Sequence, residues 1–254
     1  MKKIRGIFIK NEREIEAMRK ANRYVSLILD SLAKVVEPGI PSIELEEHAQ
    51  SMCREFDVKP AFQGYQGFPY AICCSINDEV VHGFPSERII NAGDIVSIDM
   101  GVIYDGFYGD SARTFAAGQI SEEAERLIKI TRESLYKGIE QARPGNNLFD
   151  ISSAIEEYAT AEGMGVVKRF VGHGIGRALH EKPEVPNFKV PGGTGVPLMT
   201  GMVLAIEPML TLGSAEVNIL DDDWTAVTAD GSLAAHWEHT VAITSDGPQI
   251  LSLS

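Results

Sequence analysis

Apolar residues in the first part of the chain recur every three or four positions, the spacing that places them on one face of a helix. The pattern covers residues 15–36, and Asn11 can cap this first helix with Glu14 completing a capping box. A Pro-Gly pair at 38–39 ends it, and Ser42 can cap a second amphipathic helix. Two helices joined by this Pro-Gly pair are therefore predicted in the first part of the chain.

The same order returns in the second part of the chain. Ser121 can cap a third long helix, a Pro-Gly pair at 144–145 breaks it, and a fourth helix is predicted from about Asp150 to Glu162. Short apolar runs divided by Gly, Pro and Asn follow each helix pair, which predicts strands. Because helices precede strands instead of alternating with them, the pattern indicates an α+β fold.

Two internal correspondences favour a duplicated unit. Residues 93–99 and 201–207 both run from Gly through matching aliphatic positions to a carboxylate, at an offset of 108 residues. The two Pro-Gly pairs lie at a similar offset of 106 residues. Buried strands often look alike and Pro-Gly is common in turns, so either match alone could arise by chance. Their agreement favours duplication, each half giving one carboxylate to a shared centre.

Length and charge limit the possibilities. No linker or low-complexity segment divides the 254 residues, and we expect one domain, residues 1–254, with internal halves of about 1–115 and 116–254. A chain of this size buries about 70–75% of its surface on folding. The net charge of −13 argues against broad binding to nucleic acids or anionic membranes.

The cysteines indicate a reducing compartment. There are three, Cys53, Cys73 and Cys74; the last two are adjacent, and no C-x-x-C motif is present. The basic N-terminal segment is interrupted by polar residues, which is not typical of a signal peptide. No apolar run approaches the ~20 residues of a transmembrane helix. We expect a cytoplasmic protein.

Four carboxylates and one imidazole are the candidate chemistry: Asp99, Asp110, His173, Glu207 and Glu238. Asp99 and Glu207 each follow an apolar run that predicts a buried strand. Glu238 lies in a predicted alternating strand, where an inward carboxylate needs a partner; a surface salt bridge is the alternative. Such hard ligands suit two adjacent divalent metals, which together can activate water, better than one structural zinc.

Three histidines lie in loop-like segments next to Gly or within a few residues of Gly or Pro, where site residues are common: His82, His173 and His180. Taken singly, each is more simply interpreted as a structural histidine. The glycines around His173 form G-x-G-x-G, which lacks the spacing of a dinucleotide-binding loop. His180 does not open an H-E-x-x-H zinc helix, because Glu184 stands at the second His position and prolines interrupt the segment.

Aromatic residues interleaved with Gly form a cluster at residues 62–70. Such a cluster can form a corner of the core, or it can wall an apolar pocket. The residues alone leave both interpretations open.

Taken together, these segments resemble the type I methionine aminopeptidases, in their short bacterial form. The resemblance covers nearly the whole chain and rests on motifs that are highly specific in combination: G-Y-Q-G-F-P, C-C-S-I-N-D-E-V-V-H-G-F-P, S-I-D-M-G, Y-G-D-S-A-R-T-F, V-G-H-G-I-G-R-A-L-H-E-K-P-E-V-P-N-F, A-I-E-P-M and W-E-H-T-V. It implies the pita-bread fold, in which two pseudo-symmetric α+β halves enclose a dinuclear metal centre. It also implies removal of the N-terminal methionine from nascent proteins and peptides whose second residue is small.

The resemblance implies roles for particular residues. It makes five residues the ligands of two divalent metal ions, which can be Fe(II), Mn(II), Co(II) or Zn(II): Asp99, Asp110, His173, Glu207 and Glu238. It places His82 and His180 near the scissile bond, and Glu207 beside the attacking water as the proton carrier. These three residues are the expected catalytic groups.

The implied substrate pocket combines His82 and His180 with six further side chains: Phe62, Tyr65, Phe68, Cys73, Leu179 and Trp224. Three of the six depart from the commonest bacterial pattern. Phe62 stands where Cys is usual, Phe68 where Tyr is usual, and Leu179 where Phe is usual. All stay apolar, so the resemblance implies the same activity in a pocket of different shape.

The resemblance also implies partners. These are nascent polypeptide N-termini, with transient ribosome association, no membrane, no specific nucleic acid and a monomeric state. The nearest rival is an Xaa-Pro aminopeptidase, prolidase or creatinase of the same fold. A second rival is a non-catalytic binding module, although such relatives lose metal ligands and all five are present here.

Overall fold

The computed structural model describes residues 2–4 and 6–253. Its four α-helices are α1 (Glu12–Leu32), α2 (Ile43–Glu55), α3 (Glu122–Gln141) and α4 (Leu148–Ala161). The strands of the described residues are β1 (Lys2–Ile4), β2 (Ile7–Ile9), β3 (Lys59–Pro60), β4 (Ile72–Ile76), β5 (Glu79–Val81), β6 (Ile95–Tyr104), β7 (Phe107–Ala116), β8 (Gly165–Val166), β9 (Gly172–Gly174), β10 (Glu181–Val185), β11 (Val203–Ile206), β12 (Met209–Thr211), β13 (Val217–Ile219), β14 (Ala226–Thr228), β15 (Ala234–His236), β16 (His239–Thr244) and β17 (Gly247–Ile250). A single 3₁₀ turn, Tyr65–Gly67, lies within the aromatic cluster.

The two long helices begin where the sequence predicts. At α1, the Glu14 amide donates to Asn11 Oδ1 and the Asn11 amide donates to Glu14 Oε2, both over 3.0 Å. At α3, the Ala124 amide donates to Ser121 Oγ over 3.1 Å. Each cap satisfies main-chain donors that the first helical turn leaves free.

The two short helices begin differently from the prediction. Ser42 occupies the cap position of α2, but its hydroxyl donates to the Ser86 carbonyl and accepts from the Ser86 amide. The helix α4 starts at Leu148, two residues before the predicted Asp150, because the Asn147 amide donates to the Asp150 carboxylate. Both differences arise because several nearby polar residues could cap the helix, and the sequence pattern does not show which one does.

In the first half, β6 is the central strand of an antiparallel sheet between β4 and β7. The register pairs Asp99 with Cys73 on β4 and with Ala112 on β7. The strand continues through Asp99 to Tyr104, so the carboxylate lies inside a strand and not at its end. The sheet therefore fixes Asp99 from both sides.

In the second half, β11 is the central strand between β9 and β16, and β10 and β17 extend this sheet outward. Ala205 pairs with His173 on β9 and with Thr240 on β16. Ile206 on β11 pairs with His239 on β16, and the two strands are antiparallel. Glu207, which follows Ile206, and Glu238, which precedes His239, therefore lie at the same end of this strand pair. Each half thus places a helix pair before a three-strand core whose central strand carries or precedes a carboxylate. The division at about residue 115 stays a prediction.

The helix α1 lies close against β7. A Cβ atom on Gly109 would come within 2.7 Å of the main chain of Ala21 and Asn22, which explains the glycine there. Apolar α1 side chains such as Val25 and Leu29 are buried against the sheet with Ile98. Burying such a side chain contributes about 1.5–3 kcal/mol, so this packing holds the β6–β7 hairpin in place. Among the described helices, none combines the length and apolar character needed to span a membrane.

Candidate metal centre and active site

A cavity of about 180 Å³ opens where the two halves meet. We call its polar side the floor, which consists of Asp99, Asp110, His173, Glu207 and Glu238. We call its largely aromatic side the wall, which consists of Phe62, Tyr65, Gln66, Phe68, Cys73, Leu179 and Trp224. The side chains that line it are Phe62, Tyr65, Gln66, Phe68, Cys73, His82, Asp99, Asp110, His173, Leu179, His180, Glu207, Trp224 and Glu238. The structure therefore brings together every site residue that the sequence predicts, and adds Gln66.

The first half supplies two carboxylates from one hairpin. Asp99 lies in the middle of β6 and Asp110 lies on β7. The Asp110 amide donates to the side-chain oxygen of Asn22 over 3.2 Å, and Asn22 is fully buried on α1. The helix that packs on this hairpin thus also holds the main chain of Asp110.

His173 is presented as a neutral ligand with one nitrogen free. It lies on β9, and its Nδ1–H donates to the Gly174 carbonyl over 2.9 Å. Nε2 therefore keeps its lone pair, and it lies 3.7 Å from Asp110 Oδ2 and 3.6 Å from Glu207 Oε1. Burial, with His180 nearby, lowers the pKa of His173 to about 3. Such a ring fixed by its other nitrogen is typical of a metal-binding histidine.

Glu207 and Glu238 complete the floor from the second half. Glu207 directly follows β11, as the apolar run predicts. Glu238 does not lie in an uninterrupted strand; it lies in a two-residue break between β15 and β16. Its amide donates to the Ala112 carbonyl of β7 over 2.9 Å, and this bond to the other half turns the carboxylate toward the cavity. The prediction of a strand at Glu238 is therefore wrong, because this contact interrupts the pairing.

The floor fits divalent cations. One buried oxygen on each of Asp99, Asp110 and Glu238 has no hydrogen-bond partner. The ligand atoms of Asp110, His173 and Glu238 lie within 4.8 Å of one another. Buried charged oxygens are costly unless they are paired or coordinate a metal. Four carboxylates with one neutral imidazole are a donor set that hard divalent ions accept.

The carboxylates also perturb one another. Burial raises the pKa of Asp99 to about 7. Burial, together with the charges of neighbouring cluster carboxylates, holds the pKa values of Asp110, Glu207 and Glu238 well above their usual range. Without a cation, the cluster therefore holds protons more tightly than free carboxyl groups do. Positive charge at this position would restore the ionised forms.

The aromatic cluster forms the cavity wall, which settles the choice that the sequence leaves open. Phe62, Tyr65 and Phe68 all line the cavity, and the Phe68 ring lies edge-on to Trp224 with centroids 5.1 Å apart. Cys73 and Leu179 are buried beside them. The wall is therefore apolar and offers no charge to a bound side chain.

Two histidines stand between wall and floor. The Tyr65 hydroxyl and His180 Nδ1 are 2.7 Å apart, and the rings of His180 and His173 are 4.2 Å apart. His82 has a φ of 61°, a strained conformation for a non-glycine residue that is common at functional sites. Burial lowers the pKa of His82 to about 4, so its ring is neutral.

Three residues near the floor and wall are absent from the sequence-based assignment. Gln66 lines the cavity. His236 is buried, and its Nε2 lies 3.8 Å from Glu207 Oε2. The Asn187 side chain donates to the Glu207 carbonyl over 3.1 Å. His236 could have been found from its place two residues before Glu238, whereas nothing in the local sequence marks Asn187.

Comparison with known proteins agrees with this geometry. The family model described as Metallopeptidase family M24 matches residues 16–245. The chain is 53% identical to a methionine aminopeptidase of Clostridium acetobutylicum and 54% identical to one of Clostridium perfringens, in each case over 97% of this chain and 99% of the relative. A crystal structure of methionine aminopeptidase from Thermotoga maritima superposes with a TM-score of 0.95 at 45% identity, covering 98% of this chain and 100% of that one.

These relatives share the fold as well as the sequence. The match covers 98% of this chain, and therefore both halves and the cavity between them, so the α+β architecture is the pita-bread fold. The matched family is one of metallopeptidases, which agrees with a floor of carboxylates and imidazole. The chain belongs to metallopeptidase family M24 and, within it, to the methionine aminopeptidases.

Proposed function

We propose that this protein removes the N-terminal methionine from proteins and peptides whose second residue is small, by attack of water on the first peptide bond. One observation carries the proposal: a floor of four carboxylates and a neutral imidazole opens directly onto an apolar aromatic wall. The floor can hold metal ions and move protons, and the wall can accept one unbranched apolar side chain.

The residues that would hold the metal are the five of the floor: Asp99, Asp110, His173, Glu207 and Glu238. We propose two divalent ions, with Fe(II), Mn(II), Co(II) and Zn(II) all compatible with oxygen and imidazole donors. When bound, such ions supply a water of lowered pKa and polarise the scissile carbonyl. The unpartnered buried oxygens of Asp99, Asp110 and Glu238 support this assignment.

Three side chains would move or donate protons. Glu207 takes a proton from the attacking water and delivers it to the nitrogen of the leaving amine. Burial lowers the pKa of His180, so its ring is neutral, and the Tyr65 hydroxyl can donate to its Nδ1. The ring proton of His180 then lies on Nε2, and this N–H donates a hydrogen bond to the scissile carbonyl oxygen as it gains negative charge. His82 hydrogen-bonds the scissile amide or the residue after it.

The wall would select the substrate. Methionine is flexible and its sulfur gains about 0.3–1.5 kcal/mol against an aromatic ring. A lysine side chain would bury an unpaired charge among Tyr65, Phe68 and Trp224. A free α-amine would lie near Asp99, which restricts cleavage to the first residue and excludes a formylated terminus.

The same proposal covers partners and location. The substrates are nascent polypeptide N-termini, with the ribosome as a transient partner, and the enzyme is a monomer of the cytoplasm. The three free cysteines, all buried, support a reducing compartment.

A peptide panel tests the proposal. Met-Ala-Ser should be cleaved efficiently, whereas formyl-Met-Ala-Ser, Lys-Ala-Ser and Met-Lys-Ser should be poor substrates. Cleavage of Ala-Pro peptides would indicate the Xaa-Pro rival. Purified protein that carries no metal and binds none when it is added would indicate the non-catalytic binding module. Efficient cleavage of the formylated or the lysyl peptide would overturn the pocket assignment.

A further inference from the structure

Among the buried hydroxyl groups that join the halves of the molecule, two act on the main chain of floor residues. The Ser111 hydroxyl, next to Asp110, donates to the Glu238 carbonyl over 2.7 Å. The Thr240 hydroxyl, two residues after Glu238, donates to the Asp110 carbonyl over 2.8 Å. Both side chains are fully buried. Each half thus holds the main chain of a floor residue that belongs to the other half. We call this reciprocal pair, Ser111 and Thr240, the hydroxyl clasp.

The clasp replaces a strand ladder. One edge of β7 pairs with β6, and the other edge faces residues 236–240 of the second half. Between β7 and residues 236–240, the described residues make one main-chain bond, from the Glu238 amide to the Ala112 carbonyl; farther along the same edge, the Tyr108 amide donates to the Gly176 carbonyl. The break in the strand at Glu238 leaves carbonyl oxygens that a regular ladder would have satisfied with amides. The hydroxyls supply the missing donors.

The clasp lies where two floor carboxylates come close together. The ligand atoms of Asp110 and Glu238 lie within 4.8 Å of each other and of His173. When both are ionised, as binding of a cation requires, two carboxylates at that distance in a buried site repel one another strongly. The main chain on each side must resist that repulsion if the two side chains are to stay ready for a cation. The clasp acts on the carbonyl groups of these same two residues.

We propose that Ser111 and Thr240 are positioning residues that hold the Asp110 and Glu238 carboxylates at the separation a metal ion requires, an inference that rests on the proposed metal centre. Without either hydroxyl, a buried carbonyl loses its donor and the main chain of a floor residue is free to move. Groups that orient metal ligands typically change metal affinity by about 10–100-fold when they are removed.

The test is a titration of Mn(II) into the metal-free full-length protein, under anaerobic conditions, by isothermal calorimetry. Thr240→Val and Ser111→Ala each remove one hydroxyl. Thr131→Val and Ser134→Ala are matched controls, because both residues are fully buried on α3 and donate to carbonyls over 2.8 Å. The clasp variants should raise the Kd by about 10–100-fold, and the controls should leave it within about twofold.

The outcomes separate this inference from the proposed function. If the clasp variants melt at a lower temperature but bind Mn(II) as wild type does, the hydroxyls are ordinary folding contacts and the inference is wrong. If the wild-type protein itself binds no Mn(II), the proposed metal centre fails and the inference fails with it. Should Thr240→Val not fold, Thr240→Ser and Thr240→Ala differ only in the hydroxyl, and only the Ser variant should keep the wild-type affinity.

Discussion

The floor and the wall of the cavity are built in different ways. Floor residues lie in strands of both halves or directly beside them, and Asp110, His173 and Glu238 are each less than one-tenth exposed. Wall residues come mostly from irregular segments: Tyr65 and Gln66 from a 3₁₀ turn, and others from the loops around residues 62, 179 and 224, with Cys73 on β4. Hydrogen bonds between the halves fix the floor, whereas rings packed edge to edge form the wall.

Because of this difference, we expect the floor to position the reacting groups and the wall to determine substrate preference. Groups that must be placed to within a fraction of an ångström belong on rigid elements. Segments outside regular structure tolerate change, and substrate preference commonly resides there. Changes in the floor should therefore abolish turnover or metal binding, and changes in the wall should alter which side chain is accepted.

The largest effect is expected in the floor. Asp110→Ala or Glu207→Ala should abolish detectable turnover of Met-Ala-Ser, because each would remove a carboxylate that balances the charge of the proposed metal ions. Steady-state assays with added Mn(II) measure this, with Gln66→Ala in the wall as the matched control. The preparations must be free of the expression host's own aminopeptidase. Near-normal activity in either floor variant would contradict the claim that the floor is needed for turnover and the wall is not.

His180 lies at the boundary, and its effect should be the next largest. His180→Ala should lower kcat by about 10²–10³ with a smaller change in KM, since in the proposed mechanism its donor acts on charge that develops in the transition state. Tyr65→Phe removes the hydroxyl 2.7 Å from Nδ1 and should lower kcat less. A rise in KM alone would place His180 with the wall as a binding residue.

The pH dependence of stability should also distinguish the floor. Burial raises the pKa of Asp99 from 3.8 to about 7 in the folded protein. The folded state therefore binds the proton more tightly than the unfolded chain, and this contribution is full below about pH 4 and lost as the pH rises through about 7. Metal-free protein should lose thermal stability across that window, and Mn(II)-loaded protein should not. Parallel melting curves with chelator and with Mn(II) measure it.

The wall should give the smallest effect. Phe68→Ala removes a ring that packs edge-on to Trp224 and lines the cavity. An aromatic contact contributes about 0.5–1.5 kcal/mol beyond its buried area, which corresponds to roughly a two- to tenfold rise in KM for Met-Ala-Ser. Phe68→Leu, which stays apolar, is the control. A loss of kcat with unchanged KM would show that the wall positions the reacting groups.

The sequence predicts the floor better than the contacts that hold it. Asp99 and Glu207 were found because each follows a buried apolar run, a signal confined to a few neighbouring residues. The break at Glu238 was missed, because it depends on a bond to Ala112, which is more than a hundred positions away in the chain. Ser111 and Asn187 were missed for the same reason, since a buried polar side chain far from its partner has no local pattern.

The most direct test of the account is the dependence of Met-Ala-Ser cleavage on metal, measured anaerobically during stepwise addition of Mn(II) to chelated wild-type protein. We predict no turnover without metal, and turnover that rises in parallel with occupancy of the floor and is lost in Glu207→Ala. Full activity in the metal-free protein, or metal binding that leaves the peptide uncleaved, would contradict the account.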